Sequence, residues 1–161
     1  MIDNIWLVPL FPLIGFLIAG LGSFGKLKTG STLGNAAGWI ASLAVLASFI
    51  VSVLIFMEVR SPDFLAQDIH LYDFINVGKL QIEFSFRVDQ LSSLFLLIIT
   101  GIGFLIHIYS IGYMKGDGGF GKYFAYLNLF IFSMLLLVLG NNFVIMFIGW
   151  EGVGLCSYLL I

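Results

Sequence analysis

Long apolar stretches, separated by short polar segments, dominate the chain. A helix needs roughly 17 to 25 predominantly apolar residues to cross the hydrocarbon core of a bilayer, and each stretch is of about that length. The pattern therefore predicts five transmembrane helices. They comprise residues 5–21, 36–57, 91–111, 123–139 and a fifth run that begins at Phe143.

One connection has the pattern of a strand instead. Apolar and polar residues alternate over residues 80–88, and this period of two is typical of a strand with one buried face. A shorter apolar piece, residues 69–75, precedes it, and residues 76–79 between the two favour a turn. We predict an external β-hairpin that lies over the helix ends.

These elements predict an all-α integral membrane protein with one extramembrane hairpin. We divide the chain into helices 1 and 2 (residues 1–60), the hairpin loop (61–90) and helices 3 to 5 (91–161). The first helix follows Asp3 rather than a basic segment, so we expect it to be retained and not cleaved as a signal. No polar residue closes the fifth run, and we expect the native chain to continue into more helices.

The composition excludes several classes of protein. Residues are 60% hydrophobic and 10% charged, whereas a soluble domain carries roughly 25% charged residues. A net charge of −2 without a basic stripe argues against nucleic-acid binding. The single cysteine, Cys156, excludes an internal disulfide, and its apolar surroundings predict a buried packing residue.

The basic residues predict an orientation in the membrane. Short cytoplasmic loops carry an excess of Lys and Arg, and we therefore place the N-terminus outside and the loops after the first and third helices in the cytoplasm. The predicted cytoplasmic residues are Lys26, Lys28, Lys115 and Lys122, and the predicted external ones are Arg60, Lys79 and Arg87.

Glu151 is the leading candidate for a functional residue. It lies nine positions after Asn142, or about 13 Å into the fifth helix at the usual helical rise. A charged side chain at the bilayer centre costs on the order of 2.5 to 3.5 kcal/mol, so it has to pair, become protonated or face a hydrated cavity. This predicts a proton-holding carboxylate, and the alternative is a structural acid hydrogen-bonded within the bundle.

His107 lies late in the third helix, on a face with Gly103, Phe104 and Ser110. A histidine ordinarily changes its charge near physiological pH, which makes a proton relay one interpretation and a satisfied packing residue the other. Because no second His, Cys or Asp lies near it at ligand spacing, we predict no metal site.

Smaller polar and glycine features predict helix packing. Thr100, Asn128 and Ser133 are expected to form interhelical hydrogen bonds, and Trp150 is expected to pack within the bundle. Close approach of another helix is expected at three glycines near Glu151, namely Gly149, Gly152 and Gly154.

A phosphate-binding pattern, G-x-x-x-x-G-K, occurs at residues 116–122. Tyr123 follows where such a loop needs Ser or Thr, and no strand precedes it, so we interpret the segment as a turn between helices.

Four segments together resemble a known family: FSFRVDQLS at residues 84–92, GFLIH at 103–107, YFAYLNLF at 123–130 and GWEGVGLCSYLLI at 149–161. They are similar to the L subunits of bacterial proton-pumping NADH:quinone oxidoreductase (complex I), the counterparts of mitochondrial NADH dehydrogenase subunit 5. The resemblance implies the N-terminal part of an antiporter-like fold. Glu151 matches the family's membrane glutamate, which pairs with a lysine two helices later, beyond this sequence, and His107 matches a histidine of the family.

The resemblance also implies a function and a setting. It implies a proton-translocating membrane-arm subunit in a bacterial inner membrane, whose partners are other membrane-arm subunits, the lipid bilayer and protons. Redox chemistry in the family belongs to other subunits, so we expect no cofactor in this chain, although the whole assembly is an enzyme. Two alternatives stay open: the large subunit of a multisubunit cation/proton antiporter, and a structural membrane subunit that transports nothing.

Overall fold

The computed structural model of the protein describes residues 2–24, 32–61, 63–78 and 80–161. In those residues five helices are long and apolar enough to cross a membrane, and a two-stranded antiparallel hairpin separates the second from the third. The predicted helices and hairpin are confirmed. They are α1 (Leu7–Phe24), α2 (Thr32–Val59), β1 (Gln67–Val77), β2 (Leu80–Val88), α3 (Gln90–Tyr113), α4 (Phe120–Leu139) and α5 (Phe143–Leu160).

The hairpin, the N-terminal turn and the α4–α5 connection meet at one end of the helices. A single cluster of buried apolar side chains contains Ile2 of the N-terminal turn, Phe86 of the hairpin and Leu139, the last residue of α4 before the connection. The α3–α4 turn, with Lys115, lies at the opposite end because consecutive helices alternate in direction. Of the basic residues that predict the orientation, Lys26, Lys28 and Lys79 lie outside the described residues.

Helix α4 is the centre of the bundle. It packs against α1, α2, α3 and α5, and half of its apolar span is buried inside the chain, compared with 17% for α5. Helix α5 packs chiefly against α4. Most of its surface therefore faces away from the other four helices, and Glu151 belongs to this outer helix.

A proline inside α1 is accommodated by a hydroxyl from α2. Pro12 has no N–H, so the carbonyl of Val8, four residues earlier, loses its helical donor. The Ser48 hydroxyl donates to that carbonyl at 2.7 Å, and both Ser48 and Val8 are fully buried. The bundle thus satisfies the freed backbone group, as membrane helices require.

We predict that Ser48→Ala destabilises the protein by about 1 kcal/mol more than Ser52→Ala, because only the first leaves a buried carbonyl without a donor. Ser52 is a matched control, since it is equally buried but donates only within its own helix, to the carbonyl of Ser48 at 2.9 Å. Thermal unfolding of the purified membrane protein measures the difference. Equal effects of the two substitutions would refute this account of Pro12.

The hairpin turn is tighter than the sequence predicts. Val77 pairs directly with Leu80, which leaves two residues in the loop, and Gly78 has a φ of 60°. The predicted turn over residues 76–79 is therefore wrong, because Asn76 pairs with Gln81 and belongs to the strand. Glycine adopts a positive φ without a steric penalty, and such turns match the twist of the paired strands.

Strand β1 is irregular where β2 is regular. The register shifts between His70 and Tyr72 and again between Asp73 and Ile75, so β1 holds an extra residue at each point. Such bulges break the alternation of inward and outward side chains. This explains why the sequence indicates β2 in full but predicts only residues 69–75 of β1.

The hairpin is fastened to the helix ends. On β2, Phe86 and Val88 are buried among helix side chains. The Asn142 side chain donates to the Glu83 carbonyl at 2.7 Å, and the Asn141 backbone N–H donates to the Ser85 carbonyl at 3.2 Å. The predicted position of the hairpin over the helix ends is therefore confirmed.

Residues 116–119 form the turn predicted between helices, and residues 120–122, which the sequence also assigns to the turn, already belong to α4. Gly116 has a φ of 90°, and the Gly119 N–H donates to the Asp117 carboxylate at 2.6 Å just before α4 begins. The element that precedes the turn is helix α3 and not a strand.

Candidate functional site

Glu151 lies in the middle of α5, on the side that faces away from α4. Asn142 begins the helix, and its side-chain oxygen accepts from the N–H groups of Val144 and Ile145 at 3.1 Å. The Glu151 side chain is exposed in this chain, and no residue that the structure describes forms a hydrogen bond or ion pair with it. Its nearest neighbours on the helix surface, Phe147 and Leu155, are apolar and also exposed.

The direction in which Glu151 faces is set by small residues on the other side of α5. A Cβ at Gly149 would lie 2.5 Å from the Leu137 nitrogen, and one at Gly152 would lie 2.5 Å from the Ser133 hydroxyl. Cys156, fully buried, lies against the same hydroxyl. We call Gly149, Gly152 and Cys156 the small-residue seam of α5.

The seam confirms close packing at two of the three predicted glycines. Gly154 is the exception, because a Cβ there would meet nothing within 4 Å. Successive helical residues are separated by about 100°, so a seam through Gly149 and Gly152 directs Glu151 outward.

We predict that Gly149→Ala lowers the stability of the protein by about 2 kcal/mol, since the new methyl group would meet the α4 backbone and cannot be accommodated without separating the helices. Gly154→Ala is the matched control and leaves stability unchanged or slightly higher. The melting temperature and the yield of folded protein from membranes measure both variants. A harmless Gly149→Ala would contradict the seam.

Trp150 occupies the outer surface of α5. Its side chain is 66% exposed and lines an apolar groove with Leu137, Met146 and Phe147. The prediction that Trp150 packs within the bundle is wrong for this chain. The reason is that α5 contacts the other helices mainly along one seam, which leaves even its large side chains outside.

His107 is fully buried between α3 and α4. Its Nδ1 lies 2.7 Å from the Gly103 carbonyl oxygen, and its Nε2 lies 3.0 Å from the Asn128 side-chain nitrogen. Gly103 and Ser110 are buried on the same face of α3, as predicted. The structure does not bring His107 and Glu151 together, because α4 lies between α3 and α5.

The predicted interhelical hydrogen bonds are confirmed for Asn128 but not for Thr100. The Thr100 hydroxyl donates to the Leu96 carbonyl of its own helix at 2.6 Å. Ser133 likewise donates to Leu129 in its own helix, at 2.9 Å, while facing Cys156 of α5. A hydroxyl satisfied by its own backbone needs no neighbour, and sequence alone does not distinguish the two cases.

Three side chains on the hairpin form a cluster that the sequence analysis missed. Ligand atoms of His70, Asp73 and Glu83 lie within 4.8 Å of one another, and all three residues are exposed. His70 Nε2 is 2.9 Å from the Asp73 carboxylate. Only the strand register, which pairs Asp73 with Glu83, reveals this proximity. The predicted lack of a metal site stays a prediction.

Comparison with known proteins gives a consistent family. The family model described as NADH-Ubiquinone oxidoreductase (complex I), chain 5 N-terminus, matches residues 74–124. NADH-quinone oxidoreductase subunit L of Mycobacterium tuberculosis (strain H37Rv) is 44% identical over 158 residues, which are 97% of this chain and 24% of that protein. The chain belongs to the NADH-quinone oxidoreductase subunit L family. The predicted family resemblance is thereby confirmed.

Further relatives agree with this family. Subunit L of Escherichia coli K12 is 40% identical over 94% of this chain and 24% of its own length. NADH-ubiquinone oxidoreductase chain 5 of Allomyces macrogynus is 40% identical over 93% of this chain and 23% of its own length. The chain therefore spans about a quarter of the length of these subunit L family members.

A solved structure has the same fold. A chain of the Mrp complex from Dietzia sp. DQ12-45-1b superposes with a TM-score of 0.66 at 27% identity, over 95% of this chain and 15% of that one. The chain is accordingly the N-terminal part of an antiporter-like fold and an integral membrane protein.

Proposed function

We propose that this chain belongs to a proton-translocating membrane-arm subunit of an NADH:quinone oxidoreductase, with Glu151 as its proton-holding carboxylate. The observation that carries the proposal is a carboxylate about 13 Å into a helix that is apolar enough to cross a membrane. Leaving a carboxylate ionised at that depth is costly, and such residues usually serve ion or proton pathways.

The surroundings of Glu151 support this role. No residue in the described part of the chain bonds to it, so nothing in this bundle holds it in one permanent ion pair. The small-residue seam fixes α5 against α4 and presents the carboxylate on the opposite side. A cation brought to that side by another helix would favour the ionised form, and its withdrawal would favour proton uptake.

A second candidate is the large subunit of a multisubunit cation/proton antiporter. The likeness to a chain of the Mrp complex supports it. The subunit L relatives, at 40% and 44% identity, are more similar to this chain than the Mrp chain at 27%, and they favour the first proposal. In a third candidate, a structural subunit, Glu151 would stay protonated throughout.

The same proposal includes the partners, the location and the orientation of the protein. The partners are other membrane-arm subunits, lipid and protons, and the location is a bacterial inner membrane with the N-terminus outside. In this orientation the end that carries Arg60, Arg87 and the hairpin is external, and the α3–α4 turn with Lys115 is cytoplasmic. Residues 1–60, 61–90 and 91–161 form the lead-in helices, the external hairpin and the start of the translocating domain. Flavin, iron–sulfur clusters and quinone are assigned to other subunits.

The experiment that tests the proposal replaces Glu151 by Gln in the respiratory assembly and measures protons translocated per electron. We expect the ratio to fall several-fold while the amount of assembled protein stays constant, because glutamine keeps the size of the side chain and cannot exchange a proton. Glu151→Asp should restore part of the ratio.

The matched control is Glu83→Gln, which removes an exposed carboxylate on the hairpin and should leave the ratio unchanged. An unchanged ratio in Glu151→Gln would refute the role of Glu151 and favour the structural subunit. A loss of sodium transport instead of proton transport would favour the antiporter.

A further inference from the structure

The buried pair of His107 and Asn128 joins α3 to α4. Both side chains are completely buried, and the Asn128 nitrogen is 3.0 Å from His107 Nε2. The same nitrogen lies 3.1 Å from the Phe124 carbonyl of its own helix. Two acceptors therefore face the two hydrogens of one amide nitrogen.

The neighbours of the two ring nitrogens determine which nitrogen of His107 carries a hydrogen. The Gly103 carbonyl, 2.7 Å from His107 Nδ1, only accepts, so Nδ1 carries a hydrogen. The Asn128 nitrogen only donates, so Nε2 has to present its lone pair. The imidazole is therefore neutral, in the Nδ1–H form, and its one proton-accepting atom is occupied by an amide hydrogen.

The oxygen of the Asn128 amide, unlike its nitrogen, lacks a hydrogen bond. Asn128 Oδ1 is buried without a hydrogen-bond partner in the part of the chain that the structure describes. It faces Gly15 of α1 so closely that a Cβ there would overlap it. A buried acceptor without a donor is unfavourable, and this orientation persists because the opposite one would place Oδ1 beside the Phe124 carbonyl oxygen.

We propose that Asn128 is a positioning residue for His107, which holds the imidazole neutral and makes proton uptake at Nε2 depend on reversal of the Asn128 amide. A water-borne proton that adds to the Nε2 lone pair creates a second N–H bond. The reversed amide then offers Oδ1 as its acceptor, and loss of the same proton restores the first arrangement. This inference rests on the proposed function and extends it to His107, for which the sequence leaves a proton relay as one of two interpretations.

The five helices offer no charged side chain beside His107 that could replace the Asn128 amide in setting the charge of the imidazole. Helices α1 and α3 contain no Asp, Glu, Lys or Arg, and α2, α4 and α5 contain one each, namely Glu58, Lys122 and Glu151. Lys122 and Glu151 are exposed, and Glu58 lies at the hairpin end of α2. The titratable residue near the buried face of α3 that carries His107 is Tyr123. Its hydroxyl lies 3.1 Å from the hydroxyl of Ser110, which is one turn beyond His107.

The test is nitrogen-15 NMR of histidine-labelled protein in its native membrane assembly, with the His107 signal assigned by its loss in His107→Gln. At neutral pH the wild type should show the neutral Nδ1–H imidazole. Asn128→Asp replaces the donor by an acceptor, and the same signal should become that of an imidazolium. Thr100→Val, which alters an equally buried group on α3, should leave the signal unchanged.

The outcomes separate the two proposals. An Nε2–H or charged imidazole in the wild type, or a neutral one in a folded Asn128→Asp, would overturn the positioning role. If Asn128→Asp does not accumulate, acidification of the wild type decides: the Asn128 side-chain amide signal should change together with that of His107, and a constant amide signal would overturn the inference.

Proton translocation is measured in parallel. We expect His107→Gln and Asn128→Asp each to reduce it several-fold. Normal translocation in His107→Gln would remove His107 from the pathway and overturn the coupling of the amide to translocation, while leaving the role proposed for Glu151 intact.

Discussion

The structure depends on one constraint, which is that no water inside a bilayer satisfies a polar group that the protein leaves unpaired. Two buried polar features of the helices illustrate it, whereas the buried Asn128 Oδ1 has no partner among the described residues. The Val8 carbonyl freed by Pro12 receives the Ser48 hydroxyl, and His107 uses both of its nitrogens. Such polar side chains help to determine which helices are neighbours. Apolar side chains discriminate less, because they can face either lipid or another helix.

Glu151 is the exception on the outer surface of the bundle, and its position follows from packing on the opposite side of its helix. Gly149 and Gly152 let α5 approach α4 more closely than any side chain would permit. That contact leaves the carboxylate on a surface which nothing in the described chain covers. In the proposed function, this open surface lets another helix bring a cation to the carboxylate and withdraw it, and so makes reversible protonation possible.

The sequence predicts the elements well because length and hydropathy alone determine which segments cross a membrane. It predicts β2 for a similar reason, since its alternation is unbroken. It does not predict the faces of α5, because that helix is apolar on every side and only its glycines reveal the packed one; the error for Trp150 comes from this. The bulges of β1, the cluster of His70, Asp73 and Glu83, and the bond between His107 and Asn128 all depend on register or helix packing, which a single sequence does not contain.

The central claim is that Glu151 alternates between a protonated and an ionised state while the protein works. Infrared difference spectroscopy of the active assembly measures this directly, through the carbonyl stretch of a protonated carboxyl group. The account predicts a band that appears and disappears with turnover and is missing from Glu151→Gln. A turnover spectrum that is identical in the wild type and in Glu151→Gln would contradict it.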